Sequence, residues 1–376
     1  MERIYLDNAA TTLVLPQVVD AMVTVLNNQY GNPSSTHSFG RESKVLLETA
    51  RKSIAKQINA QATEIIFTSC GTEGDNWILN AAVNNLQVTR IITTKIEHHA
   101  VLHPLEVLQT KFPSLEVIYL PITNLGEINY AELENVLAQS QAKTLVSLMH
   151  VNNEIGSVLD LVKVGQLCAA HHAYFHSDTV QTIGKENIDV QAANIDFLVA
   201  SAHKFHGPKG VGFVYVKKNT IIQPLIYGGE QEKGFRAGTE AVHQIVGMAK
   251  ALELAYQNLE GHKAYILALK KYAIAEFKKA FPGVKFNGGE ANFYTILNVM
   301  LPLSSDKTAI ILFYLDMKGI AVSRGSACQS GSIKPSHVLA EILPKEEIAL
   351  PSLRISFSHF NTESEIDILI HAIKSM

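Results

Sequence analysis

Residues 173–210, AYFHSDTVQTIGKENIDVQAANIDFLVASAHKFHGPKG, decide the fold because two apolar runs in this stretch each end in polar residues. The runs AYFHSD and IDFLVASA have the length and composition of buried β-strands. Asp178 ends the first run, and Lys204 follows the second. Ligands of open α/β sheets bind at the carboxyl ends of the strands, so we expect Asp178 and Lys204 to border one crevice.

The same alternation of strands and helices extends outward over about residues 45–215. Residues 45–58, VLLETARKSIAKQI, predict an amphipathic helix, and the apolar runs EIIFTS, RIITTK, LEVIYLP and TLVSLMHV predict further strands. This order favours an α/β fold with a mainly parallel sheet between layers of helices.

The last part of the chain predicts a smaller unit. A helical stretch over about residues 240–280 is interrupted near Gly261. It is followed by an α+β pattern made of the strand TILNVML, the helix AIILFYLDMK, the strand IAVSR, the irregular loop GSACQSGSIKPSH, a short helix, the strand LRISFS and a final helix. We therefore predict a large domain over residues 15–255 and a small domain formed by residues 1–14 and 256–376.

The composition argues against several function classes. With 32 Lys and Arg against 35 Asp and Glu, the formal net charge of −3 gives no field that would attract nucleic acid or an anionic membrane. The three cysteines include no CxxC pair, so they predict neither a disulfide framework nor a structural zinc site. No apolar run approaches the length of a membrane span, and the N-terminus carries no leader pattern. We expect a cytoplasmic protein whose partners are small molecules or proteins.

Lys204 and Asp178 together predict a pyridoxal 5'-phosphate (PLP) site. An amine that forms an imine must be held rigidly and away from bulk water, and an apolar strand that runs into a polar turn offers that position. PLP acts as an electron sink only while its ring nitrogen is protonated, which a fixed carboxylate such as Asp178 maintains. Each residue alone has an ordinary explanation, a solvated loop charge for Lys204 and a helix N-cap for Asp178. Their placement one βα unit apart favours the cofactor.

Two other strand ends suit the same cofactor. In EIIFTSCGTEGDN, Gly71 and Thr72 open a helix whose N–H groups could bind the phosphate, although such turns are common in α/β proteins. In TKIEHHAV, His98 could lie flat on the pyridine ring and exchange protons with the substrate. His98 and His99 could instead bind a metal, but adjacent residues of a strand point apart and no carboxylate–His spacing supports zinc. We therefore expect no metal.

The chain resembles a known family in nine motifs that follow the family's order along nearly its whole length. The motifs are LDNAATT, GNPSSTHSFGR, SCGTEGDN, EHHAV, HVNNEIG, SDTVQ, SAHKFHGPKG, RAGTEAVHQIVG and SRGSACQSG. Jointly they are highly specific, and they are similar to those of the NifS/IscS-type cysteine desulfurases, class-V aminotransferases of PLP fold type I. The resemblance implies a large domain with a mainly parallel seven-stranded sheet between helices, and a smaller α+β C-terminal domain.

The resemblance also implies roles for individual residues. Lys204 would form the Schiff base with PLP, and His98 would stack on the ring. Arg354 would clamp the substrate carboxylate, with Asn153 beside the ring oxygen and the substrate. Thr239 would reach the phosphate of the other subunit, which implies a homodimer with shared sites. The remaining cofactor contacts would come from the ring partners Asp178 and Gln181 and from the phosphate-binding residues Gly71, Thr72, Ser201 and His203.

Cys328, in SRGSACQSG, matches the cysteine on which this family forms a persulfide. The implied activity removes sulfur from L-cysteine, releases L-alanine and passes the sulfur from Cys328 to an acceptor for iron–sulfur clusters, thiolated tRNA or another cofactor. The alternatives are a selenocysteine lyase, another fold-type I reaction and a non-catalytic sulfur-delivery protein. Cys70 and Cys168 are interpreted as small core residues. Gly74 departs from the family's usual pattern, which has Ser there.

Overall fold

The computed structural model of the chain describes residues 3–325 and 336–376, and its central feature is a seven-stranded sheet. The predicted α/β fold is therefore confirmed, and each strand predicted between residues 64 and 202 is present. The strands are, in chain order, β1 (Ile4–Tyr5), β2 (Ile65–Thr68), β3 (Arg90–Thr93), β4 (Glu116–Tyr119), β5 (Thr144–Ser147), β6 (Tyr174–Asp178), β7 (Phe197–Ser201), β8 (Gly212–Val216), β9 (Lys285–Asn287), β10 (Ile296–Met300), β11 (Ile320–Ala321) and β12 (Ser352–Ser356).

The seven strands lie in the order β2-β8-β7-β6-β5-β3-β4. Strand β8 is antiparallel to both of its neighbours, and the other pairs are parallel. Neighbouring side chains of one strand belong to different hydrophobic cores. Phe213 of β8 packs on one face of the sheet, and Val214 packs on the other. A sheet covered on both faces requires strands that are apolar throughout, which explains why the sequence runs show little polar alternation.

Helices cover both faces of this sheet and pack against the small sheets. They are α1 (Pro16–Asn28), α2 (Ser38–Gln57), α3 (Gly71–Asn84), α4 (His99–Lys111), α5 (Tyr130–Ala138), α6 (Leu161–Ala170), α7 (Val242–Gln257), α8 (Leu259–Ala280), α9 (Lys307–Met317), α10 (His337–Ile342), α11 (Lys345–Ile348) and α12 (Glu363–Lys374). Among the described residues, no helix is both long and apolar enough to cross a bilayer.

The interruption predicted near Gly261 is wrong by three residues. Helix α7 ends at Gln257 and α8 begins at Leu259, so the break falls at Asn258. Asn258 has φ −112° and ψ 10°, and its side-chain amide donates to the Leu254 carbonyl at 3.0 Å. Gly261 lies inside α8 with open space where a Cβ would stand, so the helix continues through it.

Gly74 has a packing role that the sequence does not reveal. It lies in α3, and an added Cβ would come within 2.8 Å of both Val199 on β7 and Val214 on β8. The missing side chain lets the helix lie directly on the sheet. A glycine in a helix costs about 1 kcal/mol relative to alanine, and the close helix–sheet contact offsets this cost.

The N-terminal segment joins the large sheet to a smaller one. Strands β12, β10 and β9 form an antiparallel sheet, and β1 pairs with β11. Asn8 donates to the Ser356 carbonyl on β12 at 2.8 Å, while the next residues contact the turn after β7. The segment therefore carries backbone carbonyls from the small sheet to the strand ends of the large one. The predicted domain limits, residues 15–255 against 1–14 and 256–376, stay a prediction.

Candidate active site

A cavity of about 180 Å³ lies at the carboxyl ends of β6 and β7. This cavity is the crevice that we predicted at the carboxyl ends of the strands, and most of the predicted site residues border it. The predicted residues that line the cavity are Gly71, Thr72, His98, Asn153, Asp178, Gln181, Ser201, His203, Lys204 and Arg354.

Lys204 and Asp178 lie in this one cavity, as the sequence predicts. Lys204 ends a single 3₁₀ turn, Ala202–Lys204, that directly follows β7. Its amine donates to the carbonyls of Ala9 at 2.6 Å and Ala10 at 2.9 Å, so the N-terminal segment orients it. Asp178 is the last residue of β6, and its carboxylate accepts a hydrogen bond from the Val180 N–H at 2.9 Å.

The electrostatics of Asp178 suit a cationic partner. Burial raises the pKa of Asp178 to about 6, while the Val180 N–H and the positive charge of Lys204 lower it. A buried carboxylate gains most from a hydrogen-bonded cation placed against it. Asp178 can therefore hold a protonated ring nitrogen, which in turn keeps the carboxylate ionised.

Several polar groups of the cavity lack a partner within the described residues. The Ser201 hydroxyl is buried and makes no hydrogen bond there, and the buried Gln181 carbonyl oxygen accepts none. The Gln181 amide donates one N–H to the Ala9 carbonyl and has a second N–H for a ligand oxygen. Helix α3 begins at Gly71 with no side-chain cap from Cys70, so its first N–H groups also need acceptors. Buried polar groups of native proteins are normally hydrogen-bonded, and these groups fit a ligand that carries an anionic phosphate and a ring oxygen.

His98 is fixed in one tautomer at the edge of the cavity. It caps α4, and its Nδ1 accepts a hydrogen bond from the Ala100 N–H at 3.1 Å. Burial lowers the pKa of His98 to about 4, and the charge of Lys204 adds to this effect. The imidazole is therefore neutral near pH 7 with its proton on Nε2, which suits a ring that stacks on a cofactor and relays one proton.

Arg354 is a buried arginine on β12 whose guanidinium group is held in place by two hydrogen bonds. One guanidinium nitrogen donates to the Asn153 carbonyl at 2.9 Å, and another to the Asp7 carboxylate at 2.7 Å. Its Nε has no partner within the described part of the chain. An arginine held in this way keeps capacity for a second carboxylate at the cavity wall.

Comparisons with known proteins agree on one family. A family model described as Aminotransferase class-V matches residues 4–369. The chain is 41% identical to "Cysteine desulfurase IscS" of Clostridium botulinum (strain Kyoto / Type A2) over 375 residues, covering 99% of this chain and 94% of that protein. The chain belongs to the cysteine desulfurases of the class-V aminotransferase family.

Solved structures resemble this desulfurase over nearly its whole length. A structure titled "NIFS-LIKE PROTEIN" has a TM-score of 0.90 and 35% identity, over 100% of this chain and 99% of that one. A structure titled "SspA in complex with cysteine" has a TM-score of 0.82 and 31% identity, over 96% of this chain and 100% of that one. The predicted fold type is thereby confirmed.

The desulfurase cavity contains a second acid, Asp75, that the sequence patterns do not predict. Its Oδ1 lies 3.3 Å from His176 Nε2, and neither atom has another partner among the described residues. Burial raises the pKa of Asp75 well above its usual value, with a further rise from Asp178, and burial lowers the pKa of His176 to about 3. These directions favour a neutral Asp75 beside a neutral imidazole, whose Nδ1 lies 2.9 Å from the Ser147 hydroxyl. Asp178 is then the charged carboxylate of the two.

The cysteines are placed differently from the prediction. Cys168 is buried, and burial raises its thiol pKa, as expected for a core residue. The same interpretation is wrong for Cys70, which occupies the N-cap position of α3 without a side-chain hydrogen bond, is only partly buried and lines the cavity. It lies there because β2 ends and α3 begins at the turn that borders the cavity. Cys328 lies outside the described residues.

Thr239 is the one described site residue that the structure does not bring to the cavity. It is exposed and does not line the cavity of its own chain. Its assigned role requires a second subunit and stays a prediction. Within residues 3–325 and 336–376, no group of three or more His, Cys, Asp or Glu side chains is placed to hold a metal ion.

Proposed function

We propose that this chain is a PLP-dependent cysteine desulfurase that releases L-alanine from L-cysteine and carries the sulfur as a persulfide. The observation that carries the proposal is the joint placement of the Lys204 amine and the buried Asp178 carboxylate in one cavity. Membership of the cysteine desulfurases supports the same conclusion. A reducing compartment such as the cytoplasm suits an enzyme with a working thiol.

The residues present fit PLP. Ser201, Thr72 and the first N–H groups of α3 would hold its phosphate, with His203 beside them. Gln181 would donate to the ring oxygen, and Asp178 would accept from the ring nitrogen. When bound, PLP supplies an aldehyde for an amine and a ring that accepts electrons from the substrate's Cα.

The chain's own groups then bind the substrate and move its protons. Arg354, already oriented by Asp7, would bind the carboxylate of L-cysteine, and Asn153 would lie beside it. The Lys204 amine is placed to take the Cα proton, since the carbonyls of Ala9 and Ala10 hold it at the cavity wall.

Sulfur would leave through attack by a protein thiolate. The Cys328 thiolate forms a bond to the substrate sulfur, the Cβ–sulfur bond breaks, and its electron pair stays on the three-carbon fragment. That fragment takes up protons and leaves as L-alanine, with neutral His98 as a proton relay. The persulfide then passes to an acceptor protein that builds iron–sulfur clusters or thiolated tRNA, and Thr239 would complete the partner subunit's site in a homodimer.

Trapping the persulfide tests both the activity and the nucleophile. The PLP-loaded wild type, Cys328→Ala and Cys70→Ala would each be mixed with L-cysteine without reductant. Alanine would be counted, and the alkylated persulfide would be mapped by mass spectrometry. We expect equal amounts of alanine and persulfide, with the persulfide at residue 328 in the wild type and in Cys70→Ala. We expect neither product from Cys328→Ala.

Cys70 is the informative comparison because it also lines the cavity. Persulfide on Cys70 in the wild type would assign the nucleophile to α3 instead. Absence of alanine from a wild type that retains the visible absorption of bound PLP would contradict the proposed reaction itself.

A further inference from the structure

A second cavity, of about 420 Å³, lies behind the N-terminal segment, and we call it the rear cavity. Ala9 lines both the rear cavity and the active site. Helices α7 and α8 form one wall, and the ends of β7 and β12 continue into the others. The walls are largely apolar, with contributions from Leu15, Phe205, Leu254, Leu259, Ile266 and Phe357.

The polar groups of the rear cavity have one sign of charge. Lys185 and the imidazoles of His206, His262 and His359 line it, and none of its described lining residues is Asp or Glu. Glu186 is next in sequence to Lys185, but its carboxylate forms an ion pair with Lys263 at 2.8 Å. A cationic site without an acid in its wall is complementary to an anionic ligand.

Lys185 is the central group of this site. Its amine has no hydrogen bond or ion pair with any described residue, and burial lowers its pKa to about 7. The positive charge of Lys204 lowers the pKa further. Lys185 is half-buried, and no carboxylate within the described part of the chain forms an ion pair with its amine.

The three imidazoles form a stack rather than a metal site. The rings of His262 and His359 are parallel, with centroids 3.9 Å apart and an angle of 2° between their planes. His206 meets His359 edge-on at 5.0 Å, and its Nδ1 is 2.8 Å from the Leu13 carbonyl. Such close stacking suits neutral rings. The single N–H of a neutral His206 is donated to the Leu13 carbonyl, so the N–H groups of His262 and His359 are the ones able to donate to an anion.

We propose that the rear cavity binds an organic carboxylate with an apolar body, held by Lys185 and the histidine stack. The apolar walls would bury the hydrocarbon part, and the amine and imidazoles would bind the carboxylate. The Ala9 carbonyl accepts hydrogen bonds from Lys204 at 2.6 Å and from Gln181 at 3.0 Å. A ligand that packs against Ala9 would therefore affect the positions of Lys204 and Gln181 in the active site.

Calorimetry with the PLP-loaded protein tests this site directly. Octanoate, 1-octanol and acetate would be titrated into the wild type and into Lys185→Met. We expect one octanoate per chain, bound about tenfold or more tightly than octanol, because the carboxylate gains charge-assisted hydrogen bonds. In Lys185→Met, octanoate affinity should fall to that of octanol. Acetate should displace octanoate only weakly, because it has no apolar body for the cavity walls to bury.

A second variant separates loss of the site from loss of the fold. Ala255 lines the rear cavity without carrying charge, so Ala255→Leu would fill it and leave Lys185 and the three histidines in place. This variant should weaken octanoate and octanol alike. Equal affinities of the wild type for octanoate and octanol, or octanoate binding that survives in Lys185→Met or is strongly displaced by acetate, would overturn the proposal.

Discussion

The active-site cavity and the rear cavity share the wall at Ala9 but differ in how their charges are balanced. The active site pairs cationic groups with built-in acids, since Lys204 shares it with Asp178 and Arg354 donates to Asp7. The rear cavity carries Lys185 and three histidines with no described acid in its lining.

This difference indicates the ligand that each cavity fits. A cavity with both signs of charge suits a ligand with a cationic ring nitrogen at one end and a phosphate at the other, together with an amino-acid substrate. An apolar cavity whose one charged side chain is a lysine suits a carboxylate with an apolar body. The two half-buried lysines have separate roles for the same reason: the Ala9 and Ala10 carbonyls hold the Lys204 amine, whereas no described group accepts a hydrogen bond from that of Lys185.

Replacing Lys204 should have the largest effect. Lys204→Ala should lose the PLP that borohydride fixes to the chain, and its activity should fall to background, because no other lysine among the described residues lines the active site. The matched control is Lys209→Ala, since Lys209 lies in the same loop but is exposed. Absorption spectra before and after reduction check this, and PLP fixed to Lys204→Ala would place the imine lysine elsewhere.

Replacing the two acids of the active site should have unequal effects. Asp178→Asn should lower kcat by about a hundredfold, because an amide cannot hold the ring nitrogen protonated. Asp75→Asn should retain most of the activity, because an amide resembles a neutral acid that lies beside His176. Asp75→Ala should be more damaging than Asp75→Asn.

A second measurement separates these acids from general structural damage. The pH titration of the visible cofactor band should shift strongly in Asp178→Asn and little in Asp75→Asn. If the two Asn variants shift the band equally, Asp75 carries charge and the assignment of its proton is wrong.

The smallest expected effect concerns Glu97, a third buried acid near Asp178. Its carboxyl accepts hydrogen bonds from the Met149 N–H, yet burial raises its pKa to about 8, and Asp178 adds to the rise. The folded state therefore keeps a proton that the unfolded chain releases at lower pH, so this residue makes stability fall as pH rises between about 4.5 and 8.

The substitution Glu97→Gln should flatten that dependence. The difference in Tm between about pH 5.5 and about pH 8 should be smaller for Glu97→Gln than for the wild type, when both are measured without PLP. Equal slopes would show that Glu97 is ionised in the folded protein at neutral pH.

Much of the sheet could be predicted because its strands are short apolar runs that end in polar clusters. Strand β8 was not predicted, because GVGFVYV contains glycines and directly follows the Lys204 turn without a helix between them. The small strands β1 and β9 have two and three residues, too few for a periodic pattern to develop.

Site residues that lie at the ends of predicted strands could be predicted from the sequence. Site residues that are covered by elements distant in the sequence could not. Asp75 lies within α3, where an acid is usually solvated, and its burial depends on the sheet beneath it. Lys185 follows a glycine turn and resembles a surface charge, but α7 and α8, some seventy residues later in the sequence, enclose it. The sequence pattern around a residue does not show whether helices or strands from other parts of the chain will cover it.

The proposed function requires Lys204 and Asp178 to bind opposite ends of one ring in the active-site cavity. A crystal structure of the PLP-loaded protein measures this directly. We expect density for the cofactor joined to Lys204 Nζ, with its ring nitrogen within hydrogen-bond distance of the Asp178 carboxylate and its phosphate at the first turn of α3. Cofactor bound in the rear cavity at Lys185, or a ring nitrogen remote from Asp178, would contradict the proposed function.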